Sequence, residues 1–352
     1  MKLKIVINYI LFIIITLVIA LLVSKLIYKN THYYEAGLLK TIYNIEPNTI
    51  DVLVVGPSTS ETGWNSFVAW SEYGITSLNY SFSFLPAPII KNLIIEVLKT
   101  QKPKVILINV DSLLFDNLGN DKSQKFFFYH IFPKIPFSLN KLSMLQRLTK
   151  YYSLNPKTFI YSVFPITAIR SIALNDMETS SLSLAYFRTA YFKQNNSLSF
   201  IHSKKIKLYE TEKSVPQEYI KELIDFCSTL DIPTMFISVP AAIAFTKPYI
   251  TVGVKNRYNP FFSYLNSRRI NFIHANQYRT VRDLKLKGGD SFDEDHLNFW
   301  GSQKFTSYVS DILVKNFNLK DKRNNPKYAF WNDAAEAYVK DVKETFDVDI
   351  SL

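Results

Sequence analysis

The sequence predicts an α/β protein in which helices cover both faces of a doubly wound parallel sheet. Two short apolar runs, 51–55 and 105–110, have the composition of strands that are buried on both faces. A third run of this kind follows at 234–239. Segments with helical spacing, 89–99 and 217–229, precede the second and third runs after short turns. Repeated helix-turn-strand units build parallel sheets with crossover helices.

The N-terminal segment predicts a membrane anchor. Nearly all side chains from Ile5 to Val23 are Ile, Leu, Val or Phe, and about 20 such residues suffice to cross a bilayer as a helix. No small-x-small cleavage site follows, which indicates an anchor that is not removed. The sequence therefore predicts one transmembrane helix at 5–24 and a juxtamembrane linker at 25–49. Lysines flank both ends of the run, so charge does not decide its orientation.

The remaining chain predicts one α/β domain, at 50–320, and a C-terminal helical tail at 321–352. An insertion at about 114–215 is rich in Phe, Tyr, Ser, Lys and Asn and contains helical fragments. This mostly helical insertion either shapes a substrate groove or partner surface, or has a packing role alone. The tail has apolar residues at helical spacing and is expected to pack on the domain or on a partner.

Composition narrows the class of partner. The 352 residues carry a formal charge of +11, which suits a polyanionic neighbour such as a bilayer surface or an acidic cell-wall polymer. The lysines are scattered and no basic block with stacking aromatics is found, so nucleic acid is not an expected partner. The single Cys227 excludes an internal disulfide framework.

The sequence predicts neither a metal nor an organic cofactor. The histidines outside the C-terminal motif stand far apart, with no cysteine or carboxylate at ligand spacing. They are His32, His130, His202 and His274. No glycine-rich dinucleotide fingerprint or phosphate loop is present.

Three groups suit nucleophilic catalysis. The first strand ends in Gly56-Pro57-Ser58, and a late motif reads Asp293-x-x-His296. A hydroxyl is a poor nucleophile unless an imidazole lies within hydrogen-bond reach, and the imidazole needs a carboxylate to fix its tautomer. A carboxylate three residues before a histidine can reach its ring within one turn. Ser60 is a rival nucleophile, but Ser58 directly follows the strand, at the edge where α/β sheets bind ligands.

These residues also have a purely structural interpretation. Ser58 is then the N-cap of the helix that follows it, a position that serine favours. Asp293 and Asp295 likewise cap a helix that begins near Asn298, and His296 is a surface residue.

The order of these motifs resembles the SGNH (GDSL-type) hydrolase superfamily. The resemblance covers about 51–313, and its most specific part is Asp293-x-x-His296-Leu297-Asn298. The chain is most similar to the membrane-anchored cell-envelope branch, which includes the D-alanyl transfer protein of teichoic acid synthesis and polysaccharide O-acetyltransferases. The resemblance implies a flavodoxin-like SGNH fold, with Ser58 as nucleophile, His296 as general base and Asp293 as the group that orients it.

The chain departs from the family at the oxyanion site. Members of the family usually hold the oxyanion with the nucleophile's amide, a glycine amide after the second strand and an asparagine after the third. Here Ser81 stands where glycine is expected, and the Gly-x-Asn-Asp block is absent. Asn109 is the substitute that the sequence offers for this asparagine, although it lies within the predicted strand at 105–110. Loss of one oxyanion donor costs on the order of 10²-fold in turnover.

The resemblance implies a serine-dependent acyl esterase or acyltransferase that acts on a cell-envelope glycan or polymer. The protein is then a single-pass protein of the cell membrane with an extracytoplasmic soluble domain. Its expected partners are the membrane, an envelope polysaccharide or teichoic-acid-like polymer, and a membrane-bound O-acyltransferase. Two alternatives stay open: a non-catalytic anchored scaffold for such an acyltransferase, and an unrelated anchored α/β binding protein.

Overall fold

A computed structural model of the chain describes residues 41–115, 121–135, 138–152, 217–244, 250–276 and 278–352, with isolated positions between 7 and 39 and between 154 and 199. The strands are β1 (Val52–Val55), β2 (Ser77–Asn79), β3 (Val105–Asn109), β4 (Leu198–Ser199), β5 (Thr234–Ser238), β6 (Ile243–Ala244) and β7 (Phe272–His274). Five of them form one sheet in the order β2-β1-β3-β5-β7, and every pairing in it is parallel. Strands β4 and β6 form a separate antiparallel pair.

Helices lie on both faces of the parallel sheet. In chain order they are α1 (Ser58–Gly63), α2 (Ser66–Tyr73), α3 (Ile90–Val97), α4 (Asp111–Leu114), α5 (Asp121–Phe126), α6 (Leu139–Tyr152), α7 (Gln217–Ser228), α8 (Ile250–Ser267), α9 (Tyr278–Asp283), α10 (Phe299–Phe317) and α11 (Ala329–Phe346). Short 3-10 or π turns occur at Ala87–Ile89, Phe127–Ile131, Phe132–Lys134, Gly288–Asp290 and Pro326–Tyr328. The α/β class with a parallel sheet is therefore confirmed.

The alternation of side chains along β1 divides the core into two layers. Leu53 and Val55 belong to a cluster that also contains apolar residues of α3, α7 and α11. Val52 and Val54 face the opposite way and pack with residues of α9 and α10. Successive residues of a strand point to opposite faces, so a strand with helices on both sides must be apolar throughout. This explains why the predicted strands are continuous β-branched runs.

The sequence does not predict β7, the edge strand of the sheet. Its three residues, Phe272-Ile273-His274, form too short a run to signal a strand. The strand exists because Phe236 to Ser238 of β5 offer a parallel partner. Tertiary pairing, rather than local propensity, creates this strand.

The C-terminal helix α11 packs against the α/β domain. Trp331 is completely buried, and its ring centroid lies 5.7 Å from that of Trp70 on α2 and 6.2 Å from that of Phe67. Two turns further along α11, the ring centroid of Tyr338 lies 5.1 Å from that of Phe67. The apolar stripe of the tail thus completes one face of the core.

Two predicted regions fall largely outside the described residues. The insertion at about 114–215 is described mainly over 121–152, which is helical at α5 and α6. In the predicted anchor, 5–24, the described positions are helical and carry exposed apolar side chains such as Phe12 and Ile19. Within the described part of the chain, no helix has both the length and the hydropathy needed to cross a bilayer.

Candidate active site

Ser58 is the first residue of α1, immediately beyond the carboxyl end of β1. The N-cap position of this helix is Pro57, and no side chain caps it. The Ser58 hydroxyl instead lies 2.9 Å from Nε2 of His296. The structure therefore does not support the interpretation of Ser58 as a helix cap, and it brings together two residues that are 238 positions apart.

A tight loop presents His296 to the serine. The backbone N–H groups of Asp295 and His296 both donate to Oδ1 of Asp293, at 2.9 and 2.8 Å. The ring Nδ1 lies 2.9 Å from each carboxylate oxygen of Asp293. A carboxylate only accepts hydrogen bonds, so Nδ1 carries the proton and Nε2 is left to accept from Ser58.

The helix that follows this loop has its own cap. Asn298 is the N-cap of α10, and its side chain accepts a hydrogen bond of 3.1 Å from the N–H of Gly301. The Asn298 amide also donates to the carbonyl of Gly289, at 2.7 Å. Asp293 and Asp295 therefore do not cap α10, which removes the structural interpretation of these two carboxylates.

The surroundings of His296 favour its charged form. Burial opposes a charge on the ring, but the hydrogen bond and the charge of Asp293, aided by Asp295 and Glu61, outweigh it and raise the pKa of His296. Burial likewise opposes the charge of Asp293, yet its bonds to His296 and to the loop N–H groups hold its pKa below the ordinary value. The two groups thus form an Asp⁻–His pair with a basic imidazole.

We expect the His296 ring to titrate above pH 6.5, the ordinary histidine value. Because folding favours the protonated ring, His296 contributes stability in full below that pH, and this contribution is lost as the pH rises through the raised pKa. NMR titration of histidine-labelled protein measures this midpoint, with His296→Gln to assign the signal. Asp293→Asn should lower the midpoint. A wild-type midpoint below 6.5 would contradict the described ion pair.

The predicted oxyanion residues lie at the same edge of the sheet but differ in their contacts. Ser81 follows β2 and is buried, and among the described residues neither its backbone N–H nor its hydroxyl has a hydrogen-bond partner. The N–H of Ser58 also has no acceptor there, as expected in the first turn of a helix. Asn109 is the last residue of β3, and its side-chain nitrogen donates to Thr59 at 2.9 Å.

The rival serine has a different environment. Ser60 is fully buried, and its hydroxyl has no hydrogen-bond partner in the described part of the chain. Ser58, in contrast, is partly accessible and contacts His296. Glycine is needed at position 56 because β1 and β3 approach closely there. A Cβ added at this position would lie 2.6 Å from Cβ of Asn109, which is too short for two carbon atoms.

The residues that hold α1 in place were not predicted from the sequence. The side-chain nitrogen of Asn79 donates to the carbonyls of Ser60 and Trp64, both at 2.9 Å. At the other end, Thr59 donates to the carboxylate of Asp111 at 2.5 Å. Polar residues at the ends of buried strands, such as Asn79, are the signal that points to these contacts.

The site has the groups needed for acyl transfer by a serine nucleophile. A base lies in contact with the hydroxyl, and a carboxylate orients the base. The backbone N–H groups of Ser58, which follows β1, and Ser81, which follows β2, have no acceptor among the described residues. Over the residues that the structure describes, no group of His, Cys, Asp or Glu side chains is arranged to hold a metal ion. The sequence matches no protein-family model, and a comparison with curated proteins finds no match.

Proposed function

We propose that the chain is a serine-dependent acyl esterase or acyltransferase that works through an acyl-enzyme on Ser58. The observation that carries the proposal is the continuous hydrogen-bonded chain from the Ser58 hydroxyl through the His296 ring to Asp293. A serine that only caps a helix, or a histidine that only lies at the surface, does not require this arrangement. A nucleophilic hydroxyl does require it.

The chemistry follows from the direction of these hydrogen bonds. Nε2 of His296 takes the proton from Ser58 as the serine oxygen attacks the acyl carbonyl carbon. The protonated ring then returns that proton to the leaving alcohol as the old ester bond breaks. Water or a sugar hydroxyl then gives its proton to the same nitrogen as it attacks the carbonyl carbon of the Ser58 ester, and the ring returns that proton to the Ser58 oxygen as the bond to the acyl group breaks. Asp293 stabilises the imidazolium in both halves of the cycle.

The developing oxyanion needs hydrogen-bond donors. In this proposal they are the backbone N–H groups of Ser58 and Ser81, which have no acceptor in the described part of the chain. A serine offers the same backbone donor as the glycine usual in the SGNH superfamily. The side-chain nitrogen of Asn109 has two N–H groups and donates one of them to Thr59, so only the second is left as a third donor to the oxyanion.

The finer assignments rest on the resemblance to the SGNH superfamily. They comprise the flavodoxin-like SGNH fold and the extracytoplasmic soluble domain, whereas the proposed anchor at 5–24 and the mostly helical insertion rest on the hydropathy and composition of the sequence. The exposed apolar side chains at the described helical positions between 7 and 22 support the anchor. The proposed substrate is an envelope polysaccharide or teichoic-acid-like polymer, with a membrane-bound O-acyltransferase as partner. Whether the acyl-enzyme reacts with water or with a sugar depends on water access to Ser58.

A fluorophosphonate probe tests the proposed function. Such probes phosphonylate a serine only when a base activates it, so we expect one adduct on the full-length protein in detergent, located on Ser58 by peptide mass spectrometry. Ser60→Ala is the matched control, and this variant should label at the wild-type rate. A folded protein that never labels would refute the enzyme and favour the non-catalytic scaffold.

A further inference from the structure

A closed ring of hydrogen bonds lies directly behind the nucleophile. The N–H of Asp111 donates to Oδ1 of Asn109 at 2.9 Å. The side-chain nitrogen of Asn109 donates to Oγ1 of Thr59 at 2.9 Å, and the Thr59 hydroxyl donates to Oδ2 of Asp111 at 2.5 Å. Asn109 is fully buried, and Asp111 is buried. The ring thus joins the end of β3 to the residue next to Ser58.

Each bond in this ring has only one direction. A backbone N–H can only donate, so it fixes the oxygen of the Asn109 amide toward Asp111 and the nitrogen toward Thr59. That nitrogen can only donate, so the Thr59 hydroxyl accepts a hydrogen bond from it and donates its own hydrogen bond to Asp111. The carboxyl oxygen facing Thr59 is therefore an acceptor. A ring with a single direction holds the Thr59 side chain in one rotamer.

We propose that the ring of Thr59, Asn109 and Asp111 positions the nucleophile, by fixing the first turn of α1 so that the Ser58 hydroxyl meets Nε2 of His296. The inference deepens the proposed function and rests on it for its catalytic meaning. Thr59 is the pivot because it is bonded covalently to Ser58 and through its side chain to the ring. Asn79 secures the other end of the same helix, so α1 is held at both ends.

A second hydroxyl, that of Tyr258, also binds the Asp111 carboxylate and can be compared with that of Thr59. Tyr258 of α8 donates its hydroxyl to Oδ1 of Asp111, the carboxylate oxygen that faces away from Thr59. Burial raises the pKa of Asp111, while the hydrogen bonds from Thr59 and Tyr258 to its carboxylate favour the charged form. Tyr258 therefore shares the buried carboxylate with Thr59 without being linked to the nucleophile, and loss of its hydroxyl leaves the bond between Thr59 and Asp111 in place.

The test is the ¹⁵N NMR signal of His296 Nε2, which reports its hydrogen bond from Ser58 whether or not the protein is an enzyme. Thr59→Val keeps the side-chain shape but removes the hydroxyl, and we expect the signal to move at least half of the way to its position in Ser58→Ala. Thr59→Ser restores the donor and acceptor and should restore the wild-type signal. A wild-type signal in Thr59→Val would overturn the proposal.

Tyr258→Phe is the matched control for general loss of stability. It removes a hydrogen bond from the same carboxylate, so it should lower the melting temperature about as much as Thr59→Val while leaving the His296 signal unchanged. Equal displacement of the signal by both variants would also overturn the proposal. If Thr59→Val does not fold, Thr59→Ala replaces it and should move the signal in the same direction.

Fluorophosphonate labelling separates the positioning role from the proposed function. We expect Thr59→Val to label at least about tenfold more slowly than the wild type, since small displacements of reacting groups cost up to about 10²-fold. Thr59→Ser and Tyr258→Phe should stay within about threefold of the wild-type rate. Absence of labelling in the wild type refutes the enzyme, and the NMR result still decides whether the ring positions Ser58.

Discussion

Ser58→Ala is expected to lower the rate of ester hydrolysis by about 10⁴-fold or more. Removal of a nucleophilic serine leaves only the catalysis provided by the oxyanion donors and by substrate binding, as it does in serine proteases. The variant keeps the backbone N–H of position 58, so the loss of turnover measures the contribution of the hydroxyl alone. Release of nitrophenol from a small aryl acetate by the full-length protein in detergent measures the rate, because such an ester needs no knowledge of the natural acceptor.

Ser60→Ala is the natural comparison for Ser58→Ala. Ser60 lies on the same short helix and is also a serine, but it is buried and does not contact His296. We expect its replacement to leave turnover within a few-fold of the wild type. The proposal would be refuted if Ser58→Ala retained turnover within tenfold of the wild type while remaining folded.

The catalytic candidates are the part of the site that the sequence predicts best. Asp293 and His296 are three residues apart, so their contact depends mainly on the local loop, which the Asp293 side chain itself stabilises. Ser58 is recognisable because it follows a continuous apolar strand. Ser58 lies at the carboxyl edge of the parallel sheet, and the loop before α10 brings His296 to the same edge.

The supporting contacts could not be predicted in the same way. Thr59 meets Asp111 because β1 and β3 are neighbours in the sheet, and Asn79 reaches α1 because β2 lies on the other side of β1. These pairings depend on strand order and on register. A sequence pattern specifies both only weakly. The role of Asn109 was uncertain for the same reason: its chemistry suits an oxyanion donor, but its neighbours decide what it binds.

The packing of the tail shows a similar limit. The apolar stripe of α11 is visible from its spacing, but the sequence leaves open whether it packs on the domain or on a partner. Its contact with Trp70 is decided by the shape of the core between α2 and α11, which involves residues more than 250 positions apart. Amphipathicity predicts that a face is covered, not what covers it.

Asp293→Asn is expected to reduce turnover by about 10³- to 10⁴-fold although the fold is retained. The asparagine oxygen can still accept from the N–H groups of Asp295 and His296, so the loop keeps its shape. The amide NH₂ then faces Nδ1 of His296. Because an NH₂ group can only donate, it favours the tautomer in which Nδ1 accepts and Nε2 carries the proton. A protonated Nε2 cannot take the proton from Ser58, and a change of this kind costs about 10⁴-fold in serine proteases.

Two measurements distinguish this tautomer effect from a loss of charge. Asp295→Asn removes a neighbouring carboxylate that raises the pKa of His296, but leaves in place both contacts of Asp293 with Nδ1, so we expect it to change turnover by less than about fivefold. Higher pH should not rescue Asp293→Asn, because deprotonation of the imidazolium leaves the neutral ring in the wrong tautomer. The wild-type rate should instead rise with pH through the raised pKa of His296 and then level off. An Asp293→Asn protein with turnover within tenfold of the wild type would show that the carboxylate does not orient the base.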